Sequence, residues 1–201
     1  MSADFDRLVW TIAALREHCP WMRQLSHESL IEYLIEESYE VVEAIEAGKT
    51  PAELRGELGD VLLQVVLHAR IAEESGQFVI DDVVRGLTEK MTRRNAHVFK
   101  PDGSLQEHFP ASIDEIITKW NQAKALENPQ RSRFEGIPAS LPALALAQKT
   151  LRRDKVARSP SQLAEEELGE QLLELVRSNP DVDAERALRM AVRRFQGEHD
   201  G

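Results

Sequence analysis

One segment, ELGDVLLQVVLHARIA from Glu57 to Ala72, restricts the fold more than any other. It is apolar nearly all round, the pattern of a buried helix. A single polar row interrupts it: Glu57, Asp60 and Gln64, with His68 as a further candidate. Carboxylates on an otherwise buried helix must be paired, protonated or metal-bound. Gly56 and Gly59 flank the acids. Each costs about 1 kcal/mol relative to Ala inside a helix, so together they predict a close approach to that backbone.

A second acid pair lies upstream. Glu37 and Glu40 sit in EESYE, which begins at Glu36, and residues three apart share a helix face. The short link Gly48-Lys49-Thr50-Pro51 folds the two helices back as antiparallel neighbours. Two carboxylate pairs facing each other make a hard-oxygen cage suited to Mg²⁺, with Mn²⁺ as a substitute. The alternative is a solvated acidic face, since the chain holds 35 Asp and Glu and acids three apart also arise by chance. Two pairs on consecutive helices, one inside an apolar run, favour the cage.

The periodicity is helical throughout, which predicts an all-α fold. Helices are expected over 3–17, 27–47, 51–74, 80–95, 112–126, 140–155, 161–177 and 181–196. Ser26 is the expected N-cap of the second, with Ser29 as competitor. Pro51 suits the first turn of the third, and Gly76 its C′ position. Hairpin signals and sustained period-two alternation are missing, so no sheet is expected. The stretch from Glu127 to Pro138 breaks the pattern. Residues 1–126 are therefore read as the main domain, 127–139 as a linker and 140–201 as a helical C-terminal extension. That extension echoes the first part: ELGEQLLELV from Glu167 matches ELGDVLLQVV from Glu57. It lacks an EESYE run, so it reads as a degenerate, truncated repeat.

Whole-chain properties exclude some classes. A net charge of −10 argues against a nucleic-acid surface, which needs a basic field. A single cysteine, Cys19, rules out an internal disulfide framework and fits a reducing compartment. No signal-peptide core or membrane-length apolar run is found, so a cytoplasmic location is the default expectation. The six histidines show no zinc-finger spacing.

A cationic group complements the acids. Lys90 and Arg94 share a helix face, as do Trp120 and Lys124. Lys and Arg bind phosphate, and Trp offers a flat surface for a base. Surface solubility for Lys90 and Arg94, and core packing for Trp120, remain the alternatives. Trp21 and Tyr39 are assigned to the core, with walling of a base pocket as the alternative for either. Acids holding a divalent ion, cations and an aromatic together describe a nucleoside polyphosphate site.

Six blocks carry a family resemblance: HCPW at His18, HESL at His27, EESYE at Glu36, ELGD at Glu57, KMTRRNAHVF at Lys90, and Trp120 with Lys124. In this order and spacing the chain resembles the MazG family of nucleoside triphosphate pyrophosphohydrolases. The resemblance implies a four-helix metal-binding unit that forms a homodimer or higher homo-oligomer. It implies Mg²⁺-dependent cleavage of nucleoside triphosphates to nucleoside monophosphate and pyrophosphate. Glu37, Glu40, Glu57 and Asp60 would be the metal ligands, Lys90, Arg94, Trp120 and Lys124 the nucleotide contacts, and Glu36 a group orienting or deprotonating the water. Met22 and Asn95-Ala96 depart from the family pattern and imply a variant pocket rim or altered packing. The competing functions are a non-catalytic helical scaffold binding nucleotide or a partner, and a base-selective pyrophosphatase of the same fold.

Overall fold

A computed structural model of the chain describes residues 3–109, 112–127, 132–154 and 164–199. These form helices α1 (Ala3–His18), α2 (Pro20–Gln24), α3 (Ile31–Glu46), α4 (Pro51–Glu74), α5 (Ile80–Arg94), α6 (Ile113–Glu127), α7 (Ala143–Asp154), α8 (Glu165–Arg177) and α9 (Ala184–His199). Among the described residues the one strand-like feature is an isolated antiparallel bridge, Phe99 to Leu105. The chain divides into two compact units, Met1–Lys124 and Ala125–Gly201.

In the first unit α4 is the hub, packed against α3, α1 and α5. Its inner stripe meets α1, α2 and the start of α3 in a core of Ile12, Met22, Leu30, Val66 and Leu67. Arg16 is 7% exposed in this core. Its guanidinium pairs with Glu74 and donates to the carbonyls of Met22 and Leu25. The Met22 departure is thus a packing change: the side chain is buried beside these groups.

The α3–α4 connection is closed by two matched motifs. Gly48 adopts φ 61°, and Lys49 N–H reaches the Ala44 carbonyl while Gly48 N–H reaches Ile45. This is the 6→1 and 5→2 pattern that ends a helix on a left-handed glycine. Thr50 then caps α4 by accepting from the Glu53 N–H, and the Glu53 carboxylate accepts from the Thr50 N–H. Pro51 follows in the first turn. The same glycine ending closes α4, with Gly76 at φ 69° and Gln77 N–H on the Ala72 carbonyl.

Several expectations need correction. The helix expected from residue 27 begins at Ile31, because Ser26 and Ser29 exchange hydrogen bonds and hold 27–30 as a turn. Leu30, not a serine, occupies the N-cap. The short α2 was not expected, although Pro20 sits at its first position as such a helix start requires. Trp21 and Tyr39 are 64% and 59% exposed, so neither is core. The apolar run in α4 buries Gln64, Val66, Leu67, Ala69 and Ala72 but leaves Leu58, Leu62 and Val65 exposed. Apart from adjoining residues and the helix's own backbone, no described atom lies within 4 Å of a Cβ built at Gly56 or Gly59, so neither glycine accommodates a neighbouring element.

In the second unit α7 packs against α9. Ala143, Leu146, Thr150 and Asp154 form the buried stripe of α7. Gln196 donates to Thr150, and Glu185 accepts the Ala143 N–H. Phe134 is buried and Arg133 pairs with Asp154, so this part of the expected linker is tied to the second unit. Residues 128–131 of that linker lie outside the described residues, as do 161–163 of the helix expected over 161–177.

Candidate metal centre and nucleotide-binding groups

The register of the α3–α4 hairpin decides which acids meet. Glu40 and Glu57 lie equally far along the chain from the middle of the connection, and so do Glu37 and Asp60. In an antiparallel pair, residues so placed sit at the same level. The electrostatics follow this register. After burial, the strongest charge raising the Glu37 carboxyl above its ordinary range is Asp60, followed by Glu40, Glu36 and Glu57. For Glu57, likewise raised first by desolvation, it is Glu40, which also hydrogen-bonds to it. Such a carboxyl–carboxylate bond needs a proton shared between the two groups.

Glu37, Glu40 and Glu57 each bring an oxygen to within 4.8 Å of the others, and all three are half-buried. Asp60 is exposed and lies outside this trio, although its charge acts on both Glu37 and Glu57. An all-oxygen donor set in which carboxylates are forced together matches a hard divalent cation, which removes their repulsion. Glu36 lies on α3 beside Glu37 and adds to its upward shift.

The cations assemble elsewhere in the unit. Arg94, at the end of α5, places its guanidinium carbon 5.7 Å from the centroid of the Trp120 ring on α6. This is a cation–π contact and it joins two of the four expected nucleotide contacts. Lys124 follows one turn after Trp120, and Lys90 one turn before Arg94. Neither Lys90 nor Arg94 contributes to the shifts of Glu37 or Glu57. Lys49 is the cation that does act on Glu57, lowering its carboxyl, while pairing with Glu43 at 3.5 Å. Sequence reasoning missed Lys49; its place in the hairpin connection was the available signal. It also missed the pairing of His27 with His68 across the start of α3, because forty-one positions separate them in the chain.

Comparison with known proteins now adds to this geometry. Residues 25–99, which contain all four expected ligands, match the family profile described as the MazG nucleotide pyrophosphohydrolase domain. The nucleoside triphosphate pyrophosphohydrolase/pyrophosphatase MazG of Thermotoga maritima is 39% identical over 95% of this chain and 82% of its own length. The chain belongs to the MazG family. A nucleoside triphosphate pyrophosphohydrolase of Mycobacterium tuberculosis is also 39% identical, over 94% of this chain and 56% of its own length. One of the same name from Escherichia coli is 39% identical over 74% of this chain and 56% of its own. The chain thus spans about half the length of several MazG relatives, here 56%. Among solved structures, the MazG-related protein from Thermotoga maritima superposes with a TM-score of 0.51 at 28% identity, covering 59% of this chain and 97% of that one.

Proposed function

We propose that this MazG-family chain hydrolyses nucleoside triphosphates to nucleoside monophosphate and pyrophosphate with Mg²⁺, Mn²⁺ substituting. The observation that carries the reading is the convergence of Glu37, Glu40 and Glu57 across one hairpin, with Asp60 at the level of Glu37. In this reading these four hold the ion. A divalent ion at such a site supplies a Lewis acid and lowers the pKa of a bound water. Glu36, one residue from Glu37, orients that water or takes its proton. Lys90, Arg94 and Lys124 neutralise phosphate oxygens, and Trp120 offers its ring to the base.

The supporting circumstances extend to assembly. Ile35, Tyr39, Val42, Leu58, Leu62 and Val65 line α3 and α4 with exposed apolar surface in the single chain. A homodimer or higher homo-oligomer covers such a surface. No described helix is long and apolar enough to cross a membrane, and a cytoplasmic setting accords with the lone cysteine. The second unit is proposed as a degenerate repeat without a carboxylate site of its own.

The test is a panel of ribo- and deoxynucleoside triphosphates incubated with purified protein and Mg²⁺, with monophosphate and pyrophosphate quantified. Turnover of many bases, lost in EDTA and in Asp60→Asn, is expected. Turnover of one base alone would mark a selective pyrophosphatase. Binding without turnover on any member of the panel would leave a scaffold and overturn the proposal.

A further inference from the structure

A second polar contact joins the two carboxylate helices, away from the acids. His27, in the turn that precedes α3, meets His68 of α4 with Nδ1 atoms 2.8 Å apart. The ring planes differ by 4° and the centroids are 5.1 Å apart. That separation equals the nitrogen–nitrogen distance plus one ring radius at each end, 2.8 Å being the bond itself. The rings are therefore coplanar and edge to edge rather than stacked face on face. Such a bond is linear and holds one proton: one Nδ1–H donates and the other Nδ1 accepts.

The pair has a defined response to acid. Adding one proton leaves the hydrogen bond intact. A second proton places two N–H groups head to head at the same distance, and the contact breaks. Burial, then the His27 charge, lowers the pKa of His68. In the turn itself Glu28 interacts with His27. From α1 the charged group beside this turn is Arg16, engaged by Glu74 and by the carbonyls of Met22 and Leu25. On α4, Arg70 is engaged by Glu73 and Glu74. From α5 the residue packed on this core is the apolar Ile80. His68 Nε2 is buried without a partner, so the Nδ1 contact is the only hydrogen bond its ring makes among the described residues.

We propose that the His27–His68 hydrogen bond is an acid-sensitive latch. It fastens the turn before α3 onto α4 and so positions Glu37 and Glu40 opposite Asp60 and Glu57. Both histidines are positioning residues; neither belongs to the carboxylate trio. The consequence for ion binding rests on the proposed function above, whereas the latch itself does not.

The sign follows from linkage. Because the folded-state pKa of His68 is depressed, the latch contributes fully above the ordinary His pKa, about 6.5. Its contribution is lost as the pH falls from there through the folded value. One proton changes the folding equilibrium by at most about tenfold per pH unit.

Two measurements on the full chain in EDTA test this. In wild type, NMR of the imidazole nitrogens should show an Nδ1–H···Nδ1 bond between the two rings at pH 8, lost as His68 takes up a proton below the ordinary His range. Denaturant unfolding from pH 8 to pH 5 should show a fall in the folding constant that is absent from His68→Gln and smaller in His27→Gln, where the burial of His68 alone remains. No Nδ1–Nδ1 bond, an ordinary His68 titration, or a fall in His27→Gln equal to that of wild type overturns the latch. Mn²⁺ binding over the same pH range separates the two ideas. A working latch with no Mn²⁺ uptake at any pH would sink the metal reading alone.

Discussion

Replacing Glu37 by Gln removes the carboxylate on which the site's charges converge. Burial and the charges of Asp60, Glu40, Glu36 and Glu57 raise this carboxyl. A raised folded-state pKa stabilises the fold below the ordinary carboxylate pKa and is a liability once pH rises through the folded value. At neutral pH without metal, Glu37 therefore costs stability. Two unit charges 4.8 Å apart repel by about 0.9 kcal/mol in water. Glu40 and Glu57 both lie within that reach but share a proton and so present about one charge, to which Asp60 adds, and salt with partial exposure leaves the total at about 1 kcal/mol. In a chain of this length about 1 kcal/mol corresponds to roughly 2–4 °C in Tm. Circular-dichroism melts in EDTA at pH 7 should place Glu37→Gln above wild type by that amount. The gap should close as pH falls below the ordinary carboxylate value, where Glu37 carries its proton in both folded and unfolded chains. Saturating Mg²⁺ should reverse the order, because ion at about 100 times its Kd stabilises wild type by about 2.7 kcal/mol. A lower Tm for the variant in EDTA at pH 7 would show that Glu37 is held by a favourable partner and refute the cage.

Two further outcomes follow from the first unit. Arg16→Met should destabilise by about 2–4 kcal/mol in urea unfolding, since it strands the buried Met22 and Leu25 carbonyls and leaves Glu74 with Arg70 alone. Arg16 is the first cause holding the Glu74 carboxyl below its ordinary range, with Arg70 second, so wild type should lose this stability only as pH falls through the folded Glu74 value, and the variant's acid step should be smaller. Trp120→Ala should raise the KM for nucleoside triphosphates about tenfold with little change in kcat, from about 1–3 kcal/mol of lost base stacking; a kcat effect with unchanged KM would place Trp120 away from the base.

The all-α class, the tight α3–α4 hairpin and the facing of Glu37, Glu40 and Glu57 were legible because each rests on local chemistry. Gly48, Thr50 and Pro51 state a helix stop and start within four residues, and helical spacing places the acids on one face. What was not legible depends on contacts far apart in sequence. Trp21 and Tyr39 look like core residues because aromatics are usually buried, yet among the described residues too little packs on them to bury either. The start of α3 was misplaced because Ser26 and Ser29 satisfy each other and form a turn instead of capping the helix. The His27–His68 bond joins two chain-distant blocks, HESL and LHARIA, which no spacing rule connects. Asp60 shares the polar row of α4, but helical spacing does not specify how far its side chain reaches, and it stands outside the trio.

The hairpin register offers a last separation of site from scaffold. Gly48 holds φ 61°, and no described atom lies within 4 Å of the point a Cβ would occupy there. Gly48→Ala therefore meets no steric neighbour and costs only the left-handed backbone, about 1–2 kcal/mol. The ending of α3 on Ala44 and Ile45 and the Thr50 cap remain available to it, so Mn²⁺ affinity should survive. Deleting Gly48 is different. It shortens the connection by one residue, and α4 must either begin one residue later or rotate by about 100°, the turn per residue of a helix with 3.6 residues per turn. Either adjustment takes Glu57 out of register with Glu40, and Asp60 with Glu37. The deletion should keep most of its helical circular dichroism, because α4 retains its buried stripe of Val66, Leu67, Ala69 and Ala72, while Mn²⁺ binding by calorimetry is lost. If the deletion variant bound Mn²⁺ as wild type does, the facing of the two carboxylate pairs would not be what holds the ion.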